Sequence, residues 1–227
     1  MRIFKLLSLL LTYPDDALRD AAPDIAHLCR AADALPPDLA ERLARLALRI
    51  AADDLLDTQE RYVALFDQTR SLSLYLFEHV HGESRDRGQA MVDLRTQYEA
   101  RGLEMAPGEL PDFLPLFLEY LDAIPAGEAL ALLGEIRPIA ASLAKRLEKR
   151  RSDYAAPLAS LLALAPAAAA DRAPEAAADH TPDEATADLV PASPDDEPAA
   201  ARDAAWADAP VRFTAAPSPA ACAGDLP

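Results

Sequence analysis

Basic residues are scarce in this chain: 22 Lys and Arg stand against 38 Asp and Glu, for a formal charge of −16 over 227 residues. A surface of that sign repels phosphate backbones, which argues against nucleic acid as a partner and favours a basic polypeptide. Cysteine is as sparse. Cys29 and Cys222 lie far apart in unlike stretches, so no disulfide scaffold is expected and a reducing compartment fits. Nowhere do the roughly 18 consecutive apolar residues of a bilayer-spanning helix occur. Arg2 and Lys5 before a short apolar stretch imitate a signal peptide, but Ser8 interrupts that stretch. Tyr13-Pro14-Asp15-Asp16 then follows in place of a small-residue cleavage site. The expectation is a cytoplasmic protein with no direct membrane insertion. Aromatics make up only 6% of the chain and no convincing alternating strand or internal repeat is found, so helix is favoured over sheet.

What is present divides the chain near Pro166. Residues 166–227 hold ten of the 20 prolines and twelve acids against three bases, a net charge of −9. So little bulky apolar surface cannot offset the entropy of ordering, and this segment is expected to be a disordered Ala/Pro/Asp-rich tail. Residues 1–165 are expected to form one all-α domain, a bundle of about eight helices. Ile3 to Leu11 make a short first helix, and Pro23 is placed to open a second that runs through Ala32. Leu39, Leu43, Leu46 and Ile50 mark the face of a third after Pro36-Pro37, and Asp53-Asp54 start a fourth carrying Tyr62, Val63 and Phe66. Leu110, Phe113, Leu114, Phe117, Leu118 and Leu121 form an apolar stripe in which Pro115 demands a bend or a late start. Ile136, Ile139, Leu143 and Leu147 outline another helix, which Pro138 is expected to kink or split and which ends in the basic cluster Lys145-Arg146-Lys149-Arg150-Arg151. Tyr154, Leu158, Leu161 and Leu162 outline the last.

The run from Leu72 to Leu94 breaks this regularity. Within it, Glu78-His79-Val80-His81-Gly82-Glu83-Ser84-Arg85-Asp86-Arg87-Gly88 packs acidic, imidazole and basic groups around two glycines. Local structure accounts for part of it: a helix end, a turn at Gly82, and a second helix capped by Ser84, with Arg87, Met91, Leu94 and Tyr98 on one face. That account leaves Glu78, His79, His81, Glu83 and Arg85 without a role. Imidazole and carboxylate together suggest a metal site, and Glu78, His79, His81 and Glu83 could serve a small metal-dependent enzyme. Residues two apart point about 200° apart on a helix, however, and no nucleophile elbow, phosphate loop or cofactor fingerprint accompanies them.

With Glu60-Arg61-Tyr62-Val63-Ala64-Leu65-Phe66-Asp67 upstream and Glu109-Leu110-Pro111-Asp112-Phe113-Leu114-Pro115-Leu116 downstream, the run resembles the NarJ type of nitrate reductase assembly chaperone, within the TorD-like family. The order and spacing of all three blocks carry the resemblance, which covers roughly residues 1–165. It implies a chaperone, not an enzyme, that binds the apo catalytic (alpha) subunit of respiratory nitrate reductase, with the contact expected at that subunit's amino-terminal segment. It also implies that the client is kept competent for insertion of the molybdenum cofactor and for iron–sulfur and haem maturation, with no cofactor held stably by the chaperone itself. A different molybdoenzyme as client stays open.

The client-peptide contacts expected from the residues and the resemblance together are Asp67, Tyr75, Phe77, Glu78, His79, His81, Glu83, Arg85, Asp86, Arg87, Met91 and Phe117, with a groove near Phe77, Met91 and Phe117 taking apolar side chains. Tyr62 and Phe66 are read as core. If His79 and His81 line that groove, affinity for a basic client should fall below about pH 6. In the tail, Trp206, Val211 and Phe213 stand out in the island 205–213, which resembles a short linear motif of the same family.

Overall fold

The computed structural model describes residues 2–80, 86–106 and 108–165, and among these eight α-helices and two short 3₁₀ turns account for the regular structure. α1 (Arg2–Leu11) buries Phe4, Leu7, Leu10 and Leu11 completely and packs on α6 (Leu114–Ala123). α2 (Asp16–Arg30) packs along α3 (Pro37–Ala52), and α7 (Ala126–Lys149) along α8 (Ala155–Leu164). α4 (Leu55–Phe66) starts as its acids foretell: Asp54 accepts hydrogen bonds from the Leu56 and Asp57 amides. Between α4 and α5 (Asp86–Ala100) lie the 3₁₀ turns Arg70–Leu72 and Leu76–Glu78. One continuous apolar core results, and no helix among the described residues is long and apolar enough to cross a membrane.

Three prolines show what position does. Pro23 does not open α2; it sits on the exposed side inside it, because Asp15 caps the helix a full two turns earlier by accepting a 2.7 Å bond from the Leu18 amide. Pro138 neither ends nor divides α7, whose 24 residues run on through it. Its ring also lies on an exposed face, and the one helical hydrogen bond it cannot donate is that to the Gly134 carbonyl. Pro115, by contrast, delays its helix. α6 begins only at Leu114, where a first-turn proline gives up no hydrogen bond, so Leu110 and Phe113 precede the helix instead of lying on its stripe.

Tyr62 and Phe66 are core, as expected, and are 6% and 7% exposed. They stack with Tyr154 at 5.9 and 5.2 Å, and the Tyr62 hydroxyl donates a 2.8 Å bond to the Leu11 carbonyl, tying α4 to the end of α1.

Candidate functional site

The mixed-charge run does not begin as a helix end. Residues 70–79 form two 3₁₀ turns joined by an extended step, and the chain is pinned along that length from three sides. Arg146 of α7 donates a 2.7 Å bond to the Ser71 carbonyl. Leu114 N donates to Leu74 O at 2.8 Å and Leu76 N to Asp112 O at 2.9 Å, making a single antiparallel bridge between Tyr75 and Phe113 whose rings lie 5.3 Å apart. The third tie is internal: His79 Nε2 lies 2.8 Å from the Ser73 carbonyl and, since a carbonyl only accepts, donates to it. Burial pulls the His79 pKa down, and the Arg146 charge adds to that, so the ring is neutral at pH 7 and acts as a strut.

Asp112 is the residue that binds the run to the block before α6. It is fully buried, and its Oδ2 accepts a 3.1 Å bond from the Phe77 amide while Oδ1 has no partner among the described residues. Burial pushes its carboxyl pKa up, partly offset by that amide and by the Arg87 charge. Arg87 lies at the start of α5 and approaches Glu78 Oε1 at 3.8 Å, with both side chains 29% exposed. Behind them, the fully buried Tyr98 donates 2.8 Å to the Pro111 carbonyl, and Gly102 at φ 75° turns the chain out of α5 toward that segment. The sequence reading did not single out Asp112. Its signal was a lone acid inside Leu-Pro-Asp-Phe-Leu-Pro, where every neighbour is apolar or proline.

The expected contact residues therefore separate. Asp67 is exposed at the end of α4; Tyr75, Glu78, His79, Arg87 and Met91 are half-buried and share the neighbourhood of the bridge and the α5 start. Phe77 and Phe117 are core, at 1% and 0% exposed, and this corrects the groove expected between them and Met91: neither ring offers a face to an incoming peptide, because the Asp112 latch turns the Phe77 segment inward. Asp86 opens α5. His81, Glu83 and Arg85 lie outside the described residues, as do Trp206, Val211 and Phe213 of the tail. Of the four groups in the metal alternative, His79 is engaged with Ser73 and two are among those not described. Among the described residues no cluster of three or more His, Cys, Asp or Glu is placed to hold a metal ion.

The apolar surface missing from the run is found elsewhere. α1 and α2 enclose a groove of about 670 Å³ lined by Ile3, Leu6, Leu9, Ile25 and Leu28, with Asp24, Asp33, Asp122 and Lys5 among its polar wall. Leu28 is 44% exposed there. The sequence analysis gives Leu9 and Leu28 no role, and only the placement of α2 beside α1 makes them part of a cleft wall.

Residues 32–160 match the family described as the nitrate reductase delta subunit. The chain is 44% identical over 210 residues to the nitrate reductase molybdenum cofactor assembly chaperone NarJ of Escherichia coli K12, covering 92% of this chain and 84% of the relative. It belongs to the nitrate reductase delta subunit family. A second E. coli relative, the probable nitrate reductase molybdenum cofactor assembly chaperone NarW, is 43% identical over 73% of this chain and 68% of its own length. The probable chaperone NarJ of Bacillus subtilis is 34% identical over 70% of this chain and 86% of its own. All three blocks that carried the resemblance lie inside the delta-subunit match, and the bridge and the Asp112 latch join two of them directly.

Proposed function

We propose that this protein is a cytoplasmic chaperone that binds the apo catalytic subunit of respiratory nitrate reductase, through that subunit's amino-terminal segment, and keeps it open for insertion of the molybdenum cofactor. It acts by binding, not by making bonds. The observation that carries the reading is likeness over 92% of the chain to proteins named as nitrate reductase molybdenum cofactor assembly chaperones; the geometry supplies the surfaces. An amphipathic client segment needs an apolar trough and, if basic, acids beside it. The α1–α2 groove supports both needs with its leucines and three aspartates. Asp67, Tyr75, Glu78, Arg87 and Met91, with His81, Glu83, Arg85 and Asp86 of the same run, form a second contact that grips the body of the client. Phe77 and Phe117 support that contact from beneath. Affinity for the unfilled client holds the cofactor entrance accessible, and filling the site lowers the affinity so that the chaperone leaves.

The test is co-purification from cells that express the nitrate reductase subunits but cannot make the cofactor, followed by titration of synthetic amino-terminal peptides from that subunit and from other molybdoenzymes. Capture of the catalytic subunit only in its cofactor-free form, with the nitrate reductase peptide binding most tightly, supports the proposal. Tighter binding of another enzyme's peptide transfers the protein to that client, and no capture overturns it.

A further inference from the structure

The groove between α1 and α2 is apolar surface that the helical domain leaves open. Leu28 on its wall is 44% exposed, and Leu9 is half-buried. The groove shares Ala32 and Asp33 with a second cleft, of about 550 Å³, that passes Leu35, Pro37 and Ala40 at the turn from α2 to α3. Together they have room for a peptide segment. Their cations are already committed: Lys5 lies 2.8 Å from Glu119 and Arg30 lies 2.7 Å from Glu41. Asp24 and Asp33 stand exposed at the rim and make it acidic. An apolar trough of this kind, left open whenever no client is held, is a surface prone to unwanted association.

The chain itself supplies a segment that matches the trough. Ala165 is the last described residue, and 62 residues follow it. Residues 166–201 hold nine acids and one base, a charge of −8, whereas residues 202–213 hold two of each and are neutral. An acidic rim repels the first stretch and not the second. The neutral stretch also contains Trp206 and Phe213, the only aromatic residues after Tyr154, with Arg212 between Val211 and Phe213. The side chains best able to fill a trough therefore lie where charge admits them, beside a cation that suits the rim. Reach sets no limit. The 39 residues between Ala165 and Ala205 extend up to about 130 Å, against a diameter on the order of 40 Å for a domain of 165 residues.

We propose that residues 205–213 of the same chain occupy the α1–α2 groove when no client does, with Trp206 and Phe213 against Leu6, Leu9 and Leu28, and Arg212 toward Asp24 or Asp33. A tethered occupant needs little intrinsic affinity. Attachment gives it an effective concentration on the order of millimolar, so a segment of millimolar affinity covers the groove about half the time and yields to a tighter client. Client entry then becomes a displacement. That competition rests on the client reading, whereas docking of the tail does not.

Trp206 is the chain's only tryptophan, so its fluorescence in the full-length protein reports this segment alone. Emission blue-shifted from that of the urea-unfolded chain, and independent of protein concentration, is expected. Leu28→Asn changes an already exposed groove residue, and Arg212→Glu lies outside residues 1–165. Each should return the emission most of the way to the unfolded wavelength and leave the thermal unfolding midpoint unchanged. A tryptophan-free amino-terminal peptide of the nitrate reductase catalytic subunit should do the same to the parent, and Arg212→Glu should bind that peptide about twofold to tenfold more tightly. A blue shift that both substitutions reverse and the peptide leaves untouched supports the docked tail and removes the client from the groove, so the two readings fail separately. Emission matching the unfolded chain, a shift that survives Leu28→Asn, or one that grows with protein concentration and so reports a second copy, would overturn the proposal.

Discussion

The run at residues 70–80 and the groove between α1 and α2 differ in the way that matters for a chaperone: the first is conspicuous in sequence and closed in structure, the second inconspicuous in sequence and open. Mixed charge and imidazole mark the run, yet its backbone is latched by Asp112, Arg146 and Phe113, and its largest apolar side chain points into the core. Ordinary leucines mark the groove, and Leu28 is nearly half exposed. The difference teaches that an unusual sequence can record the needs of a joint as well as the needs of a ligand. A buried carboxylate, a neutral histidine strut and a half-buried ion pair are what such a joint is built from.

The widest separation between the two regions should appear on truncation. Phe77→Ala and Phe117→Ala each empty a fully buried site, so each is expected to cost about 3–5 kcal/mol in urea unfolding. Client binding should be lost only to the extent that the domain unfolds. A Phe77→Ala protein that keeps its full stability would show that this ring is not core and would restore the groove first expected around it. In the other region, Leu28→Glu places a charge on an already exposed side chain beside Asp24 and Asp33 and should change stability by no more than about 0.5 kcal/mol. Affinity for a client amino-terminal peptide should nonetheless fall by about tenfold or more, equivalent to 1.4 kcal/mol. Unchanged affinity in that variant would remove the groove from the client surface and leave the run to carry it.

Most of the fold was legible because amphipathic period and capping chemistry agree along this chain. The stripe Leu39, Leu43, Leu46 and Ile50 is buried as its spacing requires, and Asp54 caps α4 where the acid pair stands. Prolines were legible only in part. A ring on a solvent-facing side of a helix interferes with little else, and neither Pro23 nor Pro138 announces which side it faces until the neighbouring helices are placed. The run was conspicuous in sequence, and its geometry was not. Phe77 reads in sequence like a binding aromatic, and its inward turn depends on Asp112, a residue 35 positions away whose effect no local pattern reports.

Two titrating groups, one in the run and one in the block latched to it, pull stability in opposite directions, and the balance offers the finest test of the latch. Asp112 has its pKa raised by burial, so the folded state holds that proton more tightly than the unfolded chain, where an aspartate titrates near about 3.9. Its contribution is present at acid pH and is lost as pH rises from there through the folded value. His79 is lowered, so the folded state resists protonation; its contribution is present above the unfolded value of about 6.5 and is lost as pH falls through the folded one. Asp112→Asn keeps an oxygen for the Phe77 amide and removes the titration. Relative to the parent, it should therefore gain stability at pH 7 and gain none near pH 4, with unfolding free energies followed in denaturant across that range. A difference that does not vary with pH would mean that the Asp112 carboxyl is solvated in the folded protein, and the latch between the run and the start of α6 would have to be assigned to the backbone bridge alone.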